Sequence, residues 1–163
     1  MSYDAERVAK AVLKLLQDNM ASALATVAGR WTGDPIALGK VQSWQLGYSP
    51  TVLEREKSEF PIVVVIPGTS EPQDVTDQWV LPANLYEVIV DVFQADDDEA
   101  VTTKKLLRYC EAAVDIFEAN QDIEGRQVVR PSVDPSDVNR QHAPGMDIQY
   151  FTQWARINVV IER

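Results

Sequence analysis

Residues 85–120 read LYEVIVDVFQADDDEAVTTKKLLRYCEAAVDIFEAN. Tyr86, Val88, Val90 and Val92 alternate with Leu85, Glu87, Ile89, Asp91 and Phe93, the two-residue period of a strand whose side chains point to opposite faces. The first face is wholly apolar and calls for a covering layer. The second mixes Leu85, Ile89 and Phe93 with Glu87 and Asp91, a face suited to partial solvation or to a neighbouring subunit. Beyond the acids Asp96, Asp97, Asp98 and Glu99 the period changes. Val101, Leu106, Leu107, Cys110, Ala113, Val114 and Phe117 form the stripe of an amphipathic helix reaching Asn120. A strand with one apolar face, followed directly by a helix with one apolar stripe, defines a two-layer α+β unit.

Upstream, Ala5, Val8, Val12, Leu15 and Leu16 predict a helix over residues 3–28, with Gly29 as its stop. Its stripe is best read as packing against the sheet. Trp44, Leu46 and Tyr48 alternate within 36–48 and predict a strand interrupted by Gly39 and Gly47, whereas 49–60 is charged and expected at the surface. The run Ile62-Val63-Val64-Val65-Ile66, between Pro61 and Pro67, predicts a strand buried on both faces. Downstream, 147–162 alternates Phe151, Ala155, Ile157, Val159 and Ile161 against Tyr150, Trp154 and Val160, the pattern of a long closing strand or of two strands with a kink between them. The fold class expected is α+β: a mixed or antiparallel sheet of about four to five strands, with two long helices packed on one face. It forms a single domain over 1–163 with long connections at 67–84 and 121–147. Val75–Leu81 is a candidate short edge strand inside the first connection, and Val128 and Val129 suggest another in the second.

The chain has 163 residues and is 45% hydrophobic, enough for one core. Its formal net charge of −10 disfavours binding to nucleic acid or anionic membranes. Cys110 is the single cysteine, which excludes an intramolecular disulfide and a cysteine-based zinc site. Its place on the apolar stripe marks it as a buried structural residue. The first ten residues carry Asp4, Glu6, Arg7 and Lys10, which predicts no signal peptide, and no apolar run approaches the roughly 20 residues of a membrane span.

Catalytic chemistry is not legible. His142, the only histidine, falls in a proline-marked segment without a nucleophile-elbow pattern, and the scattered glycines fit no phosphate loop. The reading is a protein that is not an enzyme, with no cofactor and no metal. Candidate contacts with other chains are Trp31, Trp44 and Trp79, because tryptophan concentrates at interfaces, together with Glu87 and Asp91 on the mixed strand face. Arg130 and Arg140 complete the set, from the loose basic cluster that also includes Arg126.

The strand Tyr86–Phe93, the acidic cap at 96–99 and the helix to 120 resemble the tail terminator (tail completion, or minor tail) proteins of long-tailed bacteriophages. The segments 60–66 and 157–162 are similar to that family's buried and closing strands. The resemblance implies a virion structural protein forming a ring, typically a hexamer. The ring sits at the head-proximal end of the tail tube, stops its growth and joins tail to head. It implies self-association, a tail tube protein and a head-completion or connector protein as partners. It also implies assembly in the host cytoplasm, with no specific nucleic-acid binding and no membrane. The alternatives are another head–tail connector or neck protein, and a small ligand-binding or enzymatic α+β domain. An acidic ring wall is compatible with a channel that passes DNA without holding it.

The acid run at 96–99 has two readings: a divalent-cation site, or the start of the second helix. It lacks the alternating acids and central glycine of a calcium loop. It lies where a helix needs acceptors for its free N–H groups and acids at the positive end of its dipole. The expected result of calorimetric titration with calcium, magnesium and manganese is therefore no stoichiometric binding. Tight binding abolished by Asp97→Asn and Asp98→Asn would reverse the assignment.

Overall fold

The computed structural model describes residues 2–47, 52, 55–67, 85–123, 126–135, 139–142 and 149–162. Its order is α1 (Ser2–Arg30), β1 (Ser43–Leu46), β2 (Ile62–Pro67), β3 (Leu85–Asp96), α2 (Glu99–Ala119), β4 (Asp122–Ile123), β5 (Arg126–Pro135), β6 (Asn139–His142) and β7 (Gln149–Glu162). Among the described residues the strands make one seven-stranded sheet, ordered β1-β2-β3-β7-β5-β4, with β6 also on β7. The pairing of β1 with β2 is parallel and the others are antiparallel, so the fold is α+β with a mixed sheet. No described helix is long and apolar enough to cross a membrane.

The centre of the sheet is β3 against β7, paired over twelve residues from Leu85↔Glu162 to Asp96↔Phe151. Alternation places Val88, Val90 and Val92 beside Val159, Ile157 and Ala155, all at most 1% exposed. With Val63 and Val65 of β2 they share one hydrophobic core with Val8, Val12, Leu16 and Val27 of α1 and Leu106, Cys110, Ala113 and Phe117 of α2. Burying each such side chain contributes about 1.5–3 kcal/mol, so this layer of contacts outweighs the ion pairs on the surface, at roughly 0–1 kcal/mol apiece. A second, smaller cluster forms on the other face: Ile62 and Val64 of β2, Phe93 and Ala95 of β3 and Tyr150 of β7, beneath Val52 and Phe60. Strand β2 is thus buried on both sides, as its continuous β-branched run predicts. Val52 and Phe60 sit at 1% and 6% exposure although their segment is rich in charge and expected at the surface. Tyr150 Oη donates to the Arg55 carbonyl at 2.6 Å and Lys57 Nζ lies 2.6 Å from Asp97 Oδ2, which tie this segment over the smaller cluster.

Several expectations change. The strand expected over 36–48 is only four residues long. Gly47 ends it at φ 84°, a backbone conformation cheap only for glycine, and donates its N–H to the Val65 carbonyl at 2.8 Å. The stretch 121–147, expected as an irregular connection, carries β4, β5 and β6. Its prolines signal a breaker, but β4 pairs only with Arg126 and Gln127, so Pro131 and Pro135 lie where β5 has no strand on its outer side among the described residues. A proline costs no ladder bond at such an edge. His142 stands in β6 and not in a loop. The candidate strand Val75–Leu81 and the connection 68–84 lie outside the described residues.

Helix α2 also departs from its expected stripe. Leu107 is 47% exposed, while Arg108 and Tyr109 are 4% and 2% exposed. The helix is covered on two sides, by the sheet and by α1 with the chain that leaves it, and a single stripe cannot describe such a helix. Its start falls within the acid run 96–99, at the third acid. Asp98 is the N-cap and accepts from the Val101 N–H at 2.9 Å. Asp96 accepts from the Asp97 N–H and pairs with Lys105 Nζ at 2.6 Å. Asp98→Ala is expected to destabilise the protein by about 1 kcal/mol in urea unfolding. Asp97→Ala, which removes only an exposed ion pair, should cost less than about half of that. Equal costs would refute the capping assignment.

Candidate functional site

The face of the sheet away from the helices carries the chemistry that the mixed strand pattern pointed to. Asp91 on β3 stands directly opposite Arg156 on β7. Arg156 Nε donates to Asp91 Oδ1 and Nη2 to Oδ2, each at 2.9 Å, a two-pronged contact that fixes both groups in one plane. The Asp91 side chain is 2% exposed and that of Arg156 37%. The guanidinium lies 5.5 Å from the Trp154 ring centroid, and Trp154 sits 6.2 Å from the Phe93 ring, its cross-strand partner. Around this pair Ile66, Ile89, Asn158 and Val160 are half-buried and Glu87 is exposed. The result is a surface of paired strands with apolar side chains, one locked ion pair and the exposed carboxylate of Glu87.

A second cluster joins the end of α1 to the outer side of α2. Arg30 Nη1 lies 2.8 Å from Glu111 Oε1 and 2.7 Å from Asp115 Oδ2. Trp31 Nε1 donates to Glu111 Oε2 at 3.0 Å, and the Arg108 guanidinium stands 4.9 Å from the Trp31 ring centroid. Arg108 Nη2 donates to the Asp34 carbonyl at 2.8 Å and lies 3.2 Å from its Oδ2, while Lys104 Nζ lies 2.9 Å from the same carboxylate. The Lys104 hydrogen bond leads in holding the Asp34 carboxyl below its ordinary range. Burial pushes Glu111 up, but the bonds from Trp31 and Arg30 together bring it below its ordinary range. This network clamps the turn after α1 onto α2. It leaves Trp31 43% exposed, held by its indole N–H and by a cation on one ring face.

The candidate contact residues separate accordingly. Trp31 and Glu87 are at the surface. Trp44 is half-buried and packs on the main core, so it serves the fold first. Asp91 is not at the surface: at 1% exposure it is consumed inside the chain by Arg156, a partner 65 residues away that strand pairing alone brings to it. Arg130 and Arg140 take places in β5 and β6, their side chains lying outside the described residues, as does the whole of Trp79. The sequence reading missed Arg156, Trp154 and Arg108 as members of these clusters. A charged residue within an otherwise apolar strand, at Arg156, was the available signal. Cys110 is 2% exposed, and burial pushes its thiol up to about 12, as befits an unreactive core residue. Compared with known protein families and with curated proteins, the chain shows no match.

Two outcomes follow for the ionised groups. Arg156→Ala strands a buried carboxylate and is expected to cost about 3 kcal/mol in chemical unfolding, whereas Asp91→Leu combined with Arg156→Met should cost far less. A double variant as unstable as the single one would show that the pair stabilises the face by more than mutual neutralisation. At Asp96, burial pushes the carboxyl up, but the Lys105 hydrogen bond, the backbone N–H groups of Asp97 and Asp98 and the Lys105 charge outweigh it, and the net shift is down from 3.8. A depressed folded value contributes stability that is present above about pH 3.8 and is lost as pH falls through the lower folded value. Asp96→Asn should therefore weaken the protein at pH 7, and the gap from the parent chain should narrow in urea unfolding at acidic pH. A gap independent of pH would remove Asp96 from the acid response.

Proposed function

We propose that this protein is a structural subunit of a bacteriophage tail. It forms a ring at the head-proximal end of the tail tube, ends tube growth and joins the tail to the head. The observation that carries the reading is the sheet face opposite the helices. Half-buried Ile66, Ile89 and Val160 lie there on paired strands around the Asp91–Arg156 pair, with Glu87 exposed beside them. Ring closure requires head-to-tail contacts between two different surfaces of one subunit. A strand face with apolar side chains, whose buried Asp91 is already paired with Arg156, suits one side of such a contact, because covering it strands no buried charge. The segments on which the resemblance to tail terminators rests, 60–66, 86–93, 96–120 and 157–162, fall on β2, β3, α2 with the acids before it, and β7.

The net charge of −10 supports the same reading in a different way. Subunits so charged repel one another in free solution, so association depends on apolar contact and on a tube end that presents several sites at once. An acidic inner wall would let DNA pass without holding it.

Electron microscopy of the purified protein mixed with tail tubes tests the proposal. The expected result is hollow rings seated at one end of the tubes, with tubes of fixed length when the protein is present during polymerisation. Ile89→Asp should abolish end-capping while leaving the circular-dichroism spectrum of the isolated chain unchanged. Tubes that grow unchecked and carry no cap in the presence of excess protein would overturn the proposal.

A further inference from the structure

We draw no further inference here: the strongest candidate, the exposed patch formed by Trp31 and Leu107 on the outer side of the two helices, is an unpartnered apolar surface, and nothing in the structure shows what covers it.

Discussion

The register of β3 against β7 is the constraint on which the rest of the molecule depends. Twelve consecutive pairs lie at the centre of the sheet, and Val88, Val90 and Val92 of one strand and Ala155, Ile157, Val159 and Ile161 of the other belong to the helix-facing core. A slip of β7 by one residue would turn Arg156 into that core, away from Asp91, and carry Ala155, Ile157 and Val159 to the far side. The direct opposition of Asp91 and Arg156 therefore specifies the register from one face, while the Val, Ile and Ala rows specify it from the other. An ion pair of this kind adds little net stability. What it adds is a penalty for every alternative pairing, because any other register leaves a buried carboxylate without its cation.

The two layers are tied at both ends by chain segments lying outside the regular elements. On the helical side, the turn after α1 is clamped to α2 through Trp31, Asp34, Arg108 and Glu111, and Tyr109 Oη donates to the Gly39 carbonyl further along. On the other side, Val52 and Phe60 close the smaller cluster. Among the described residues this second cover lies over Ile62, Val64, Phe93, Ala95 and Tyr150. The two edges differ: β1 is four residues long, whereas β4 covers only Arg126 and Gln127 of β5, and the rest of β5 has no strand on its outer side among the described residues, where Pro131 and Pro135 blunt it.

How much of this was readable from the residues varies with the range of the interactions. The two helices, β2, β3 and β7 declare themselves through local periodicity, and the structure places all five close to their expected limits. The mixed polarity of β3 was legible for the same reason. The fate of Asp91 was not, because its partner lies 65 residues away and only strand pairing selects it. Likewise Pro131 reads as a breaker until β5 is seen to run along the outside of β7. Arg108 and Tyr109 read as the polar side of a helix until the 31–39 chain is laid across them.

By itself the sequence determined the α+β class, the long elements and the apolar face of the central strand. These follow from side-chain period and backbone preference, which act over a few residues. Only the tertiary structure decided the strand order, the parallel placement of β1, the conversion of 121–147 into strands and the neutralisation of Asp91 by Arg156. Each of these depends on which distant segment is brought alongside, a choice made by burial of the shared core and invisible in any local window.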